Sequence, residues 1–273
     1  MSATTGSTGS LPTSVPTSAA ATPTTTAIGI DIGGTGIKGA VVDLTTGSLR
    51  TDRIKIPTPK GGRPDDIVET ARELLSTVSS GYGTLPIGVC FPAVVKQGRT
   101  MSAANVSEEW IGLAAEELFE AGLGVPIHFV NDADAAGYAE AQFGAARDVP
   151  GVVILTTLGT GIGSALLHDG ILVPNTELGH LEIDGRDYET KAAYSAKERE
   201  DLSWEKWASR LQTYYTTLEK LFSPDLFIVG GGVSKHHEQF LPLLNLRTPI
   251  IPAVHRNNAG ILGAAALASR FPA

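Results

Sequence analysis

The sequence predicts an α/β fold built as two related halves, and three observations support that. A strand–glycine turn–strand unit occurs twice, about 125 positions apart: Ala27–Ile32 and Ile37–Asp43 flank the first turn, and Val152–Thr157 and Ser164–His168 flank the second. Thr35-Gly36-Ile37 aligns with Thr160-Gly161-Ile162, Gly34 with Gly159, and Ala40 with Ala165. Short apolar runs also alternate along the chain with amphipathic stretches of helical period. Finally, 273 residues at 42% hydrophobic and 18% charged are enough to bury a core without disulfides or a structural metal.

The remaining elements follow in order. Arg53–Ile56 reads as a strand. Pro64–Ser79 reads as a helix that opens on proline and carries Ile67, Val68, Ala71, Leu74, Leu75 and Val78 on one stripe. Pro86–Phe91 reads as a strand, Glu109–Glu120 as a helix and Ile127–Val130 as a strand. Asp132–Phe143 reads as a helix whose first acidic residues complement the positive end of its dipole. Leu202–Phe222 is a long helix with Trp204, Trp207, Leu211, Tyr214, Leu218 and Leu221 at core spacing. Leu226–Val229 is a strand and Asn258–Arg270 an Ala-rich closing helix. Residues 1–26 are nearly all Ser, Thr, Ala, Gly and Pro, with no Lys or Arg, and read as a disordered tail that is not a signal peptide. The expected division is a smaller lobe over 27–131 joined by the C-terminal helix (258–273), and a larger lobe over 132–257.

A formal net charge of -8 argues against a mainly electrostatic nucleic-acid binder. No 18-residue apolar run predicts a membrane span, so a cytoplasmic location is expected. The lone Cys90, inside an apolar run, reads as a small buried hydrophobe.

Gly34-Thr35-Gly36-Ile37-Lys38-Gly39 has the letters of a dinucleotide-binding loop. That loop must open a helix, whereas Ala40-Val41-Val42-Asp43 continues as strand. A glycine turn between strands suits a different task, in which backbone N–H groups approach phosphate oxygens. Gly33, Gly34 and Thr35 would provide such a turn, with Asp31 for an accompanying cation or water and Lys38 as a nearby point charge. Thr160 and Gly161 would grip the same phosphates from the second half. Gly231, Gly232 and Val233, after an apolar strand, would let a nucleotide approach closely. The alternative is that all three are ordinary turns. Asp132, where a strand gives way to a helix, is a candidate base or, alternatively, an N-cap; Asp134 is the weaker candidate.

Asp31-Ile32-Gly33-Gly34-Thr35-Gly36-Ile37-Lys38 resembles the first phosphate motif of the ROK sugar kinases, within the actin-like superfamily. Asn131-Asp132-Ala133 resembles that family's catalytic motif, Leu158–Gly163 its second phosphate motif, and Glu177-Leu178-Gly179-His180 its sugar-binding motif. Gly230–Ser234 resembles its nucleotide-side motif. The resemblance spans Ile28 to Leu267 and implies a two-lobed actin-like (ribonuclease H-like) fold, with a duplicated mixed sheet and an active-site cleft between the lobes. Most of the family carries a Cys-rich zinc segment after the sugar motif. Leu181–Lys197 has no Cys, so no zinc is expected, and the chain is most similar to the polyphosphate glucokinase branch.

That branch implies a hexose kinase using inorganic polyphosphate or ATP, with Mg2+, on glucose and mannose. Asp132 would take the proton of the sugar 6-hydroxyl. Asn105, Asn131, Asp132, Glu177, His180 and Glu189 would hold the sugar, with Glu182 and Asp184 as rival registers for Glu189. Lys38, Lys60, Arg63, Lys96, Arg99, Lys191, Lys197, Arg199 and Arg256 are candidates for a polyphosphate path. A homodimer is implied by the family alone. The alternatives are an ATP-only ROK kinase for another hexose, a non-catalytic actin-like ATPase, and a regulator of the same family, which would need an N-terminal helix-turn-helix that residues 1–26 do not suit. Deleting residues 2–24 is expected to leave turnover and melting temperature nearly unchanged; a fall of several degrees in a thermal melt would show that the tail docks.

Overall fold

A computed structural model describes residues 24–270. Two five-strand paths are arranged alike. The first sheet uses β1 (Thr26–Gly33), β2 (Gly36–Asp43), β3 (Ser48–Leu49), β4 (Ile54–Ile56), β5 (Ile87–Phe91) and β8 (His128–Asn131), in the order β3-β2-β1-β5-β8, with β4 also on β2. Between β5 and β8 lie the small hairpin β6 (Val95–Lys96) and β7 (Arg99–Thr100). The second sheet runs β11-β10-β9-β14-β15, from β9 (Val152–Leu158), β10 (Ile162–His168), β11 (Ile171–Val173), β14 (Leu226–Gly230) and β15 (Ile250–Pro252). A further hairpin, β12 (Glu182–Ile183) and β13 (Arg186–Asp187), stands apart.

In both sheets the pairings run antiparallel, antiparallel, parallel, parallel along the path. Each glycine unit is therefore a hairpin whose first strand also has a parallel neighbour. This is the duplication expected from Thr35 and Thr160.

The helices are α1 (Pro64–Val78), α2 (Ala115–Leu123), α3 (Asp132–Phe143), α4 (Glu189–Ala192), α5 (Tyr194–Arg199), α6 (Trp204–Phe222) and α7 (Ala259–Arg270). The apolar stripe of α1 is buried with Ile28, Ile30 and Val89 of the first sheet. Trp110, Phe91, Phe119 and Phe129 pack in the same cluster, with ring centroids 4.5 to 6.4 Å apart. Fully burying such a side chain contributes on the order of 2–3 kcal/mol. On the second sheet, Trp207, Leu211, Tyr214, Tyr215 and Leu218 of α6 pack on Ile154, Phe227 and Val229.

Between the sheets lie α3 and α7. Helix α7 rests on β1 and β5, α3 rests on β9 and β10, and the two helices pack on each other. The approach is close enough to exclude side chains. A Cβ on Gly29 would lie 1.9 Å from the carbonyl oxygen of Ile261, one on Gly88 1.9 Å from that of Ala264, and one on Gly263 1.7 Å from that of Ala135.

Several expectations need correction. Order begins before Ala27: Thr26 pairs with Asp43, and the Leu44 N–H donates to the carbonyl of Thr25 at 2.9 Å. The rest of the expected tail, residues 1–23, lies outside the described residues, as do residues 271–273 of the C-terminal segment. Glu109–Glu120 is not one helix. A single turn at Glu108–Trp110 ends before Gly112 (φ 81°), and α2 starts at Ala115. The break lets Trp110 bury its ring and donate its indole N–H to Gly62 O at 2.9 Å. The stripe on α6 ends early. Leu221 is 60% exposed, while Glu219 is buried and accepts the Thr248 N–H at 2.6 Å.

Gly263→Ala gives a sign test of the α3–α7 contact. Helix propensity alone would make this change stabilising by about 1 kcal/mol. The backbone clash reverses it, and a loss of about 3 kcal/mol or more is expected in denaturant unfolding.

Candidate active site

Four of the five motif-bearing segments lie at or just after the end of a strand. Asp31 lies near the end of β1. Asn131 ends β8 and Asp132 begins α3. Gly159–Gly161 joins β9 to β10, and Gly231 follows β14.

At the first turn, Asp31 and Lys38 are cross-strand partners, and the Lys38 ammonium donates to Asp31 Oδ2 at 2.9 Å. The Cys90 thiol points at Asp31 Oδ1, 3.7 Å away; burial, first, and the nearby carboxylates push that thiol well up, so it is not a nucleophile. Gly33, Gly34 and Thr35 form the turn, with Thr58 Oγ1 donating to Gly33 O. Asn105 (φ 62°) sits against this turn, and a Cβ on Gly34 would lie 2.7 Å from its own. The structure thus brings Asn105 to the phosphate-motif side of the cleft.

Asp132 is half-buried at the head of α3. Its carboxyl is raised to about 7, first by burial, then by the charge of Asp31, with Glu177 and Asp134 adding to it; the Ala133 N–H opposes the shift. The charges of Asp31, from the first sheet, and of Glu177, from the sugar motif, are both felt at Asp132. The N-cap of α3 is Asn131, not Asp132. Asn131 Oδ1 accepts from the N–H groups of Ala133 (2.8 Å) and Asp134 (3.0 Å), and Nδ2 donates to Ala93 O at 2.9 Å. One N–H of Asn131 is left for a ligand. Asp134 faces away from Asp132 into the protein, where its Oδ2 accepts the Asn175 N–H at 2.7 Å.

Leu178–His180 forms a single 3-10 turn pressed on the start of β10: a Cβ on Gly179 would lie 2.0 Å from Ile162 O. Ser164 Oγ accepts the Leu178 N–H (2.9 Å), and the Tyr214 hydroxyl donates to Leu178 O (3.1 Å). These bonds leave Glu177 and His180 exposed beside each other. Burial raises Glu177, and Glu189 raises it further, against the opposing effect of His180. The Asp187 carboxylate, 2.8 Å from His180 Nδ1, holds that imidazole above its ordinary range. Asp187 Oδ1 also accepts the Glu189 N–H at 3.1 Å.

Glu189 joins this group through α4. Its Oε2 accepts the Ile162 N–H at 2.6 Å, against Gly161 of the second turn. Glu182 and Asp184 are exposed on or at the tip of the β12–β13 hairpin. Among the three registers, Glu189 is the one whose charge acts on both Glu177 and His180.

The second turn is braced by the Ser195 hydroxyl, which donates to Thr160 O at 2.6 Å, and by the Gly159 N–H to Gly161 O at 2.9 Å. Gly231 (φ 79°) lies against it; a Cβ there would be 2.4 Å from Leu158 O. Gly232 has open space around it. Val233 is buried in the α6 core, which leaves only its backbone for a ligand.

Sequence reasoning missed Asp187, Ser164, Tyr214 and Asn175. Each lies outside a motif and reaches the site through a contact that only the folded chain makes. The basic candidates are partly committed to the fold: Lys38 to Asp31, Arg63 to Glu109 (3.3 Å), Arg199 to Glu200 (3.3 Å), and Lys197 over the Trp204 ring (4.4 Å).

Comparisons with known proteins bear on the family and the fold. The chain is 48% identical over 239 residues to the polyphosphate glucokinase of Mycobacterium tuberculosis, covering 87% of this chain and 89% of that protein. The structure of an inorganic polyphosphate/ATP-glucomannokinase from Arthrobacter sp. strain KM superposes with a TM-score of 0.87 at 50% identity, covering 90% of this chain and 99% of that one. A ROK family glucokinase from Streptomyces griseus, determined with glucose and AMPPNP, has a TM-score of 0.78 at 24% identity over 90% of this chain and all of that one, and shares the fold. The ROK family pattern matches residues 27–192. On motifs, topology and similarity alike, the chain belongs to the ROK family.

Proposed function

We propose that this chain is a hexose kinase. It transfers the terminal phosphoryl group of inorganic polyphosphate or ATP to the 6-hydroxyl of glucose, and of mannose. The observation that carries the reaction class is the setting of Asp132, a half-buried carboxyl at the head of α3, raised to about 7 by burial and by the charges of Asp31 on the strand before the first phosphate turn and of Glu177 at the sugar turn. The donors and acceptors are those in the names of relatives that match the chain at 48–50% identity over nearly its whole length.

In this reading Asp132 accepts the 6-hydroxyl proton as that oxygen attacks the terminal phosphorus in line with its leaving oxygen. A base with its pKa near the working pH is half ionised there and still strong enough to take the proton. Glu177, His180 and Glu189 hold the other hydroxyls, since carboxylates make strong hydrogen bonds to them. Asp187 keeps His180 oriented. The backbone N–H groups of Gly34, Thr35, Thr160 and Gly161 meet the phosphate oxygens, Lys38 supplies positive charge, and Gly231 and Gly232 leave room for the nucleotide when the donor is ATP.

Mg2+ bound with phosphates requires only one or two protein carboxylates. Asp31, near the end of β1 beside the first turn and already paired with Lys38, would meet that need directly or through water. The ion would neutralise charge on the transferring group.

Purified protein is expected to form glucose 6-phosphate from glucose with ATP-free polyphosphate and, separately, with ATP. Formation with neither donor would overturn the reading. Because the base must be deprotonated, kcat/KM is expected to fall about tenfold per pH unit below about 7 and to level above it. Asp132→Asn is expected to lose about 10²- to 10⁴-fold in turnover. More than a tenth of wild-type turnover would remove Asp132 from the role of base. The same variant should melt higher than wild type at pH 8, where the folded state holds this carboxylate charged at a cost. The gain should shrink at pH 5, where Asp132 is protonated in the fold.

A further inference from the structure

We infer that Asn175 is a positioning residue for the sugar site: it ties the segment carrying Glu177 and His180 both to the small β6–β7 hairpin of the other lobe and to the helix carrying Asp132. The inference rests on the hexose-kinase reading above.

Asn175 follows β11 and lies two residues before Glu177. Its side chain spans the gap between the two halves of the molecule. Oδ1 accepts the Val95 N–H at 2.7 Å, and Nδ2 donates to Val95 O at 2.7 Å. One amide thus pairs with both backbone groups of one residue, as a neighbouring strand would. Its own N–H donates to Asp134 Oδ2 at 2.7 Å. Three elements therefore meet on Asn175: the β6–β7 hairpin, the first turn of α3, and the sugar-motif segment.

The backbone there has φ 59°, a left-handed conformation that asparagine tolerates better than other residues with a side chain. The anchors are themselves fixed. Asp134 is 1% exposed, on the same helical turn as Asp132. The Val94 N–H donates to Ser102 Oγ at 2.9 Å, and Ala93 O accepts from Asn131. Both polar groups of the Asn175 side chain are spent on Val95, and the cavity of about 710 Å³ that it lines with Asp134, Asn131 and Val95 is not lined by Asp31, Asp132, Glu177 or His180. Asn175 thus acts on the sugar-binding groups through the chain and not by touching the sugar. It sets how far Glu177 and His180 stand from Asp132 when the lobes hold a hexose.

The strap constrains acceptor binding and leaves the donor turns untouched, so its loss has a specific kinetic signature. In the full-length protein at pH 8, Asn175→Ala is expected to raise the KM for glucose about tenfold. The KM for polyphosphate and for ATP should stay within about twofold of wild type, and kcat should fall less than the glucose KM rises. Asp134→Ala, which removes the acceptor for the Asn175 N–H, should shift the same parameter in the same direction. Asp134→Asn retains an acceptor oxygen and should restore the glucose KM to within about threefold of wild type. If Asn175→Ala does not fold, Asn175→Asp serves: it keeps the shape and the acceptor for Val95 N–H, loses the donor to Val95 O, and should raise the glucose KM alone. An unchanged glucose KM, or donor and acceptor KM rising together, would overturn the inference while the kinase reading stands. A wild-type protein that makes no hexose 6-phosphate would overturn the kinase reading and this inference with it.

Discussion

Helices α3 and α7 touch backbone to backbone at the centre of the molecule, where Gly263 meets Ala135 and leaves no room for a side chain. Gly29 and Gly88 seat the other side of α7 on β1 and β5 in the same way. Everything functional depends on these approaches. They bring two separately folded sheets together with their motif-bearing strand ends facing one cleft. Asp31 arrives from the first sheet, Thr160 and Gly231 from the second, and Asp132 from the head of α3 itself. A spacer of one methyl group at the contact would move one wall of the cleft against the other. Catalytic positioning does not tolerate displacements on that scale.

The cleft is built on electrostatic tension. The charges of Asp31 and Glu177 both disfavour ionisation of Asp132, while the Lys38 ammonium pairs with Asp31 at 2.9 Å on this wall. The tension falls on Asp132, half-buried at the head of α3, where desolvation is the largest cause of its raised pKa. A carboxyl in that state is less stable ionised than it would be in water, and for the same reason a better proton acceptor. The sugar turn is organised by opposite means. Glu177, His180 and Glu189 remain open to solvent and are oriented by hydrogen bonds from Asp187, Ser164 and Tyr214 to the turn around them. In the proposed reaction, proton transfer draws on burial, while hydroxyl recognition draws on more open groups held by hydrogen bonds to the turn around them.

Much of this was legible in the linear sequence. The helix Asp132–Phe143 has the same ends in sequence and structure, because Asn131 is a strong N-cap and Gly144 follows its last apolar residue. The duplication was legible through Gly34–Ala40 and Gly159–Ala165, since a tight hairpin end needs glycine in each copy. Elements whose form depends on a distant partner were not legible. Glu109–Glu120 has helical periodicity, yet the chain turns at Gly112 because Trp110 finds the carbonyl of Gly62 and a nest of phenylalanine rings. Leu221 continues the stripe on α6, yet the buried face turns toward Glu219 because Thr248 needs an acceptor.

The Glu-x-Gly-His turn is legible only through its resemblance to the ROK sugar motif, whereas two glycine hairpins and an acidic residue at a strand-to-helix junction are local features of the chain. Local backbone preference and side-chain type suffice for these, and they do not change with what packs nearby. The closed fold alone sets which carboxylates share a field and that Asn175 joins the two halves. Those relations link residues far apart in the chain, and they exist only once the two sheets have closed on α3 and α7.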